Sequence, residues 1–241
     1  MAELTPMMQQ YVKLKEANPG ALLFFRLGDF YEMFFDDALV ASKELDITLT
    51  GKNCGLEERA PMCGVPYHSA EGYIAKLVQK GYKIAICEQM EDPKKAKGLV
   101  KREIIRRVTP GTVVEASMLD ENRNNFLGCV YAAGGSVGVC FADITTGSVY
   151  ATGSDNWNDI TSEFGRFAPR EVLVGGGAIS ADGLQSFLKE RLEALIEPMP
   201  EECFEAQRSA ERIQEHFKVQ DFDAAGLTDL PCTVQCLGGL L

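Results

Sequence analysis

Residues 21–35 of the chain read ALLFFRLGDFYEMFF, and the N-terminal part of the fold is organised around this stretch. The apolar run 21–27 predicts a buried strand. Gly28 and Asp29 form a break that ends this strand. From Tyr31 onward the apolar residues recur at helical spacing, so we predict a helix that starts there and carries apolar side chains at positions 34, 35, 38, 41 and 45.

The same stretch contains more aromatic residues than a single face can bury. Five phenylalanines and one tyrosine fall within residues 24–35. Phe30 follows the Gly-Asp break, where side chains often project outward, and an exposed phenylalanine can wedge between stacked bases from the minor groove. Glu32 can then hydrogen-bond a base edge. Phosphates repel a carboxylate, so a carboxylate placed on DNA is explained only by contact with a base. The alternative is that all these aromatics are core residues, which their general bias towards burial favours on pattern alone.

The pattern changes along the chain in a way that predicts two domains. Residues 1–114 mix helices and strands without a repeat, and residues 46–50 (DITLT) alternate like a half-buried strand. Residues 115–125 (EASMLDENRNN) are polar and are interpreted as a linker. Residues 126–241 start with three short strands and continue with alternating helices and strands, which is the order of a ribonuclease H-like domain.

The predicted fold class is therefore α/β (α+β), with a mixed-sheet domain followed by a ribonuclease H-like α/β domain. The chain ends in the apolar stretch CLGGLL at 236–241 without a stop signal. We interpret this ending as a cut inside a longer chain, so the second domain is expected to be truncated at its C-terminus.

Charge is distributed unevenly between the two halves. The net charge is −11, yet residues 1–115 carry 16 basic and 16 acidic residues, so residues 116–241 account for the whole excess. Within the neutral half, residues 94–107 hold seven basic residues and one glutamate. Phosphate groups can be neutralised by such a cluster, here through Lys101, Arg102, Arg106 and Arg107. The alternative is a solvated charged strand or loop.

Several classes of protein are disfavoured by the composition. The sequence has no apolar run long enough to span a membrane and no secretory signal, so we expect a cytoplasmic protein. The eight cysteines form no Cys-x-x-Cys pair and only two histidines exist, which argues against a zinc site and for reduced thiols. No Gly-x-x-x-x-Gly-Lys-Ser/Thr motif is present, so no P-loop is expected.

Two catalytic alternatives rest on individual residues. His68 could act with Cys63 as a nucleophilic pair, although a histidine making structural hydrogen bonds beside a helix start is the favoured interpretation. Asp143 could hold Mg²⁺ in a metal-dependent nuclease, because early-strand aspartates of ribonuclease H-like folds do so. That chemistry needs further carboxylates, and a turn-capping aspartate is the favoured interpretation.

The motifs together resemble the MutS family of bacterial DNA mismatch repair proteins. The resemblance rests on segments spread over the first half and extends loosely into the second: FRLGDFYEMF at 25–34, LDITLT at 45–50, PMCGVPYH at 61–68, GYKIAICEQ at 81–89, RVTPGT at 107–112 and DITTG at 143–147. It implies a mismatch-recognition domain followed by a connector domain. The chain is then expected to be an N-terminal fragment of a longer family member.

The resemblance also implies roles for individual residues. Phe30 matches the phenylalanine that stacks on the mispaired or unpaired base, and Glu32 matches the glutamate that hydrogen-bonds this base. Lys52 and Arg106 fall at basic positions near the DNA backbone, although the family often has arginine where Lys52 stands. The resemblance implies DNA binding for these four residues and no catalytic role for any of them.

The implied partners are mismatched double-stranded DNA and, through the connector domain, MutL. Homodimerisation and an ATPase that uses ATP and Mg²⁺ belong to the full-length family, so no enzyme activity, cofactor or metal is expected for these 241 residues. A third interpretation is a protein–protein scaffold whose first-domain aromatics are all buried. The exposure of Phe30 distinguishes that scaffold from a DNA reader.

Overall fold

The computed structural model describes residues 3–91, 98–119, 123–219, 222 and 225–241. Residue contacts divide the chain into two units, Met1–Thr109 and Pro110–Leu241. The predicted division into 1–114, a linker at 115–125 and 126–241 stays a prediction. Both units mix helices with strands, so the predicted fold class is confirmed.

The first unit is built on a mixed sheet. Its elements are α1 (Pro6–Glu16), β1 (Ala21–Leu27), β2 (Phe30–Phe34), α2 (Phe35–Leu45), β3 (Thr50–Lys52), β4 (Ala60–Pro66), α3 (Ala70–Gln79), β5 (Lys83–Gln89) and β6 (Arg102–Val108). Within the described residues the strand order is β3-β4-β2-β1-β5-β6, with β1 and β5 parallel and the other neighbours antiparallel.

The central strand β1 is buried on both faces, which explains its continuous apolar sequence. Leu23 and Phe25 pack with Met8 and Tyr11 of α1 on one face. On the other face α2 and α3 cover the sheet, and the buried Cys63 thiol of β4 donates to the Ala38 carbonyl at 3.5 Å. The predicted strand 21–27 is confirmed.

The chain following Gly28-Asp29 differs from the sequence prediction. Residues from Tyr31 do not start a helix; they continue in β2, and α2 begins at Phe35. The reason is that the two-residue turn folds β2 back onto β1, so residues 31–34 pair as a strand and the helical spacing of the apolar residues begins to apply only at Phe35. The predicted strand at 46–50 is also wrong, because Asp46 ends α2 in the left-handed region and β3 begins at Thr50.

The second unit has the predicted order of strands and helices. Its elements are β7 (Phe126–Ala133), β8 (Ser136–Asp143), β9 (Ser148–Ser154), α4 (Trp157–Phe167), β10 (Glu171–Gly176), α5 (Asp182–Ser186), β11 (Leu195–Pro198), α6 (Ala206–Phe217) and α7 (Pro231–Leu240). Among the described residues, the strand order is β11-β10-β7-β8-β9. The pairs β7–β8 and β8–β9 are antiparallel, and β10 is parallel to both β7 and β11.

Apolar clusters cover both faces of this second sheet. Ile160 and Phe164 of α4 pack on one face, and Ile213 of α6 and Leu237 of α7 pack on the other. The apolar ending of the sequence therefore belongs to a helix that covers the sheet. All eight cysteines lie in the described ranges as free thiols, and seven of them are buried. In the part of the chain that the structure describes, no helix is long and apolar enough to cross a membrane.

Candidate nucleic-acid interface

A tight hairpin turn places Phe30 at the surface. Leu27 of β1 pairs with Phe30 of β2, so Gly28 and Asp29 are the two turn residues. Gly28 has φ +58°, a conformation that such turns need at their first central position and that glycine adopts without strain. Phe30 is 46% exposed. The scaffold interpretation, in which every aromatic of this stretch is buried, is therefore wrong for Phe30.

The neighbouring aromatics behave differently, because they belong to the core. Phe24, Phe25, Tyr31 and Phe34 are each buried to 7% exposure or less. Phe34 shares a sheet face with Phe30 and is fully buried, so the exposure of Phe30 follows from its place at the start of β2, beside the turn. The core bias expected for aromatics holds for these four residues and fails at Phe30.

Glu32 lies on the same sheet face as Phe30, two residues further along β2. Its Oε2 atom accepts from the Lys52 Nζ atom of β3 at 2.5 Å. On the adjacent strand β4, Gly64 faces Glu32, and a Cβ added at Gly64 would come within 3.4 Å of the Glu32 Cγ atom. The missing side chain at Gly64 therefore leaves room for the carboxylate.

Three of the four predicted site residues share one sheet face. Lys52 of β3 pairs with Ala60 of β4, and Ala60 lies on the same face of β4 as Gly64, the partner of Glu32. The Lys52 ammonium lies 5.6 Å from the centre of the Phe34 ring. The sequence placed Lys52 in the site only through the family resemblance. The structure brings it into contact with Glu32, a pairing that the sequence did not predict.

The fourth predicted residue, Arg106, lies elsewhere on the sheet. Arg106 of β6 pairs with Ile86 of β5, which in turn pairs with Phe24 of β1. Glu32 pairs with the next residue of β1, Phe25. Because successive residues of a strand point to opposite faces, the pairing puts Arg106 on the face opposite Glu32 and three strands away from β2.

The basic cluster around Arg106 is largely engaged within the protein. Arg102 is 7% exposed, donates to the Arg26 carbonyl at 2.8 Å and to Gln10 at 3.0 Å, and has a pKa lowered by burial. The hypothesis that Arg102 contacts phosphates is therefore wrong. Arg107 donates to Asn18 at 2.8 Å, and Lys101 pairs with Glu103 at 2.5 Å. The predicted lysines at 94, 95 and 97 lie outside the described residues.

Side chains without a predicted role form a contact network beside the turn. The Tyr31 hydroxyl donates to Glu88 of β5, and burial, followed by this hydrogen bond, raises the pKa of Tyr31 to about 12. Arg26 pairs with the same carboxylate, and Tyr67 stacks on Arg26. Their signal in the sequence is weak, since a polar residue on a buried strand is recognised as a partner only once the strands are paired.

The catalytic alternatives find no support in their geometry. Cys63 is fully buried, and burial raises its thiol pKa to about 11, which disfavours the nucleophilic thiolate. The Asp143 carboxylate caps its turn, accepting from the Thr145 backbone N–H at 2.9 Å and from the Thr145 hydroxyl at 2.6 Å. Among the described residues, no group of three or more potential metal ligands is found. No observation therefore favours a nuclease.

Comparisons with known proteins match both parts of the chain. The family model of MutS domain I matches residues 5–117, and that of MutS domain II matches residues 125–241. The first match ends at residue 117 and the second begins at residue 125, so the interval between them lies inside the predicted linker at 115–125.

Proteins named DNA mismatch repair protein MutS are similar over 90% or more of this chain. The protein from Lachnoclostridium phytofermentans is 52% identical over 241 residues, which is 100% of this chain and 26% of the relative. The protein from Acetivibrio thermocellus is 53% identical over 90% of this chain and 25% of its own length. The chain thus spans about a quarter of the length of the curated relatives it matches.

Proposed function

The chain belongs to the MutS family of DNA mismatch repair proteins, and from this premise we propose that its first unit recognises mispaired or unpaired bases in double-stranded DNA. The observation that carries the proposal is the exposed Phe30 at the end of a tight hairpin, with Glu32 on the same sheet face. A large apolar side chain held outward on a rigid turn is suited to insertion between bases.

The proposed role of Phe30 depends on how easily DNA bends. A mismatched step stacks and pairs poorly, so kinking it requires less energy than kinking a matched step. The Phe30 ring enters from the minor groove and replaces the lost stacking, which is worth about 1–3 kcal/mol for an aromatic side chain on a base. Discrimination then follows from deformability and does not require a sequence code.

Glu32 adds a hydrogen bond to the mispaired base in this proposal. A free carboxylate near DNA would be repelled by phosphates. The Lys52 ammonium, 2.5 Å from the Glu32 Oε2 atom, offsets that charge before DNA arrives. Lys52 can also contact the backbone, so the pair brings a base-reading carboxylate to the minor groove with little net negative charge.

Arg106 is proposed to contact the DNA backbone at a second place. Its position on the opposite face of the sheet, three strands from β2, requires a phosphate contact separate from the one at Lys52. Such contacts orient the duplex and carry no sequence information. Replacing Arg106 is therefore expected to weaken binding to mismatched and to matched duplexes equally.

The second unit is proposed to serve protein partners, MutL among them. Residues 116–241 carry the whole net charge of −11, which repels DNA phosphates and suits contacts with proteins. We propose homodimerisation, with ATP and Mg²⁺ as cofactors, for the whole protein and no catalysis by these 241 residues. A cytoplasmic location is part of the same proposal.

Fluorescence anisotropy at low salt tests the proposal directly. A labelled duplex with a G·T mismatch or an unpaired T is compared with its matched homoduplex, using the wild type, Phe30→Ala and Leu39→Ala. Leu39 is a matched control, because it is an apolar residue of the first unit with 47% exposure. We expect a mismatch preference in the wild type and in Leu39→Ala, and its loss in Phe30→Ala.

Two outcomes would contradict the proposal. Equal binding of both duplexes by the wild type would show that the first unit does not discriminate within this chain. An unchanged preference in Phe30→Ala would show that another feature recognises the mismatch. Losing Phe30 should lower mismatch affinity by about 5- to 150-fold, as the stacking energy requires.

A further inference from the structure

Arg26 connects the Phe30 turn to two neighbouring elements. Its Nε atom donates to the Gly28 carbonyl of the turn at 2.6 Å, and its Nη1 atom pairs with the Glu88 Oε1 atom at 3.2 Å. Its guanidinium carbon lies 3.4 Å from the centre of the Tyr67 ring, on the segment after β4. One side chain therefore contacts the turn, β5 and the segment beyond β4.

A second contact ties the turn to that segment. The Tyr67 backbone N–H donates to the Asp29 carbonyl at 3.0 Å. Both turn residues thus have their carbonyls occupied, Gly28 by Arg26 and Asp29 by Tyr67. A hairpin turn at a surface is usually among the more mobile parts of a fold, and these contacts limit its freedom.

The Arg26 guanidinium is sheltered, and its charge is compensated. Its side chain is 15% exposed and that of Glu88 is 25% exposed. The Tyr31 hydroxyl donates to the same Glu88 oxygen, so the carboxylate has two donors. A planar guanidinium can stack on a ring and donate in its own plane at once, whereas the compact ammonium of lysine cannot do both.

We propose that Arg26 is a positioning residue that holds the Gly28–Asp29 turn, so that Phe30 is ordered for base insertion before DNA binds. The proposal rests on the DNA-reading function proposed above. Phe30 is nearly half exposed and its own packing fixes it weakly. Ordering a mobile segment on binding lowers affinity, and prior ordering by Arg26 and Tyr67 removes that loss.

Two variants and two controls test the role of Arg26. Arg26→Lys keeps the charge and loses the planar fork, and Tyr67→Leu removes the stacking ring. Tyr67→Phe keeps the ring and serves as the conservative variant. Arg166→Lys is the matched control, because Arg166 stacks on Phe167 of the second unit at 5.1 Å.

The first readout is the NMR order parameter of the Asp29 and Phe30 backbone amides in the free protein. In the wild type the turn should be rigid, with order parameters of about 0.85. In Arg26→Lys and in Tyr67→Leu the order parameters of these two amides should fall below about 0.6. Tyr67→Phe and Arg166→Lys should retain the wild-type values. Unchanged order in Arg26→Lys and Tyr67→Leu would overturn the proposal without any DNA measurement.

The second readout is the ratio of mismatch to homoduplex affinity. Arg26→Lys and Tyr67→Leu should lower this ratio by about 3- to 10-fold, the effect of having to order one segment. Equal weakening of both duplexes would overturn the positioning role. If Phe30→Ala keeps the wild-type ratio, the DNA-reading proposal fails, while the order parameters still decide whether Arg26 holds the turn.

Discussion

The two units each contain a hairpin closed by two residues, and both turns begin with a glycine at positive φ. In the first unit Gly28 and Asp29 join Leu27 to Phe30, and in the second Gly134 and Gly135 join Ala133 to Ser136. Gly28 has φ +58° and Gly134 has φ +60°. A Cβ added at either glycine would meet nothing within 4 Å, so glycine serves conformation there and not space.

The hairpins differ in the residue that follows the turn and in what surrounds it. Phe30 is a large exposed ring above a turn held by Arg26 and Tyr67. Ser136 is small, and its hydroxyl donates to the exposed Asp155 at 2.7 Å. A two-residue turn that begins with glycine is therefore common to both units. The candidate site is distinguished by an outward apolar side chain that other side chains support.

The largest expected effect separates the buried aromatics from Phe30. Phe25→Ala removes a fully buried ring and should lower the free energy of unfolding by about 3–5 kcal/mol. Phe30→Ala should change it by less than about 1 kcal/mol, because the ring is nearly half exposed. Urea denaturation followed by circular dichroism measures both values.

Phe141→Ala is the matched change in the second unit, since Phe141 is also buried on a hairpin strand. It should destabilise as strongly as Phe25→Ala. A loss in Phe30→Ala as large as in Phe25→Ala would mean that Phe30 is a core residue in solution, and the contrast between the hairpins would disappear.

The second prediction concerns the glycines themselves. Gly28→Ala and Gly134→Ala each place a side chain in the left-handed region, which costs about 1–2 kcal/mol of stability. The stability loss should be similar in the two variants, as measured by thermal or urea unfolding. Mismatch preference should fall in Gly28→Ala and stay unchanged in Gly134→Ala. A fall in both variants would indicate a general loss of structure and no particular role for the first turn.

Part of this contrast was readable from the sequence, because it depends on local rules. The strand at 21–27 followed from its apolar run, and the Gly-Asp break with the surplus of aromatics indicated that Phe30 could be exposed, although the burial bias of aromatics favoured a core position. The helix expected from Tyr31 was misplaced at its start: α2 carries the expected positions 35, 38, 41 and 45 but begins only at Phe35, because residues 30–34 are paired as a strand on both sides.

Contacts between distant residues were beyond the sequence for a physical reason. The Glu32–Lys52 pair and the Arg26–Tyr67 stack join residues 20 and 41 positions apart, and only strand register brings them together. The burial of Arg102 is a further example, since a basic run gives no sign of which member faces inward. Local pattern therefore identified Phe30 as a residue that could be exposed, and it could not predict which side chains hold the turn beside it.

The third prediction sharpens the electrostatic difference between the hairpins. Lys52→Gln removes the cation beside Glu32 and leaves that carboxylate without its observed partner. We expect weaker binding to both duplexes and a salt dependence of binding that is shallower by about one phosphate contact. Because the pair is partly exposed, the stability loss should not exceed about 1 kcal/mol.

Ser136→Ala is the corresponding change at the second hairpin and should alter neither binding nor its salt dependence. Anisotropy titrations at several salt concentrations give the slopes. A Lys52→Gln variant with the wild-type slope would show that Lys52 contacts no phosphate and acts only within the protein.

The smallest expected effect tests a feature that the hairpins share. Tyr31 donates to Glu88 and Tyr131 donates to Glu201, and in both cases burial, followed by the hydrogen bond, raises the tyrosine pKa to about 12. The unfolded chain loses these protons near pH 10, while the folded protein retains them to higher pH. Between pH 10 and 12 the unfolded state therefore binds fewer protons, so stability falls as pH rises.

Replacing either tyrosine with phenylalanine should remove its share of this alkaline loss. Urea denaturation at pH 8 and pH 11 should show a smaller decrease in Tyr31→Phe and in Tyr131→Phe than in the wild type, by similar amounts. A decrease in the free energy of unfolding between pH 8 and pH 11 that equals the wild-type decrease in both variants would contradict the shared mechanism. A smaller decrease in one variant alone would show that the hairpins differ here too, in the burial of the tyrosine as well as in the side chain that each turn displays.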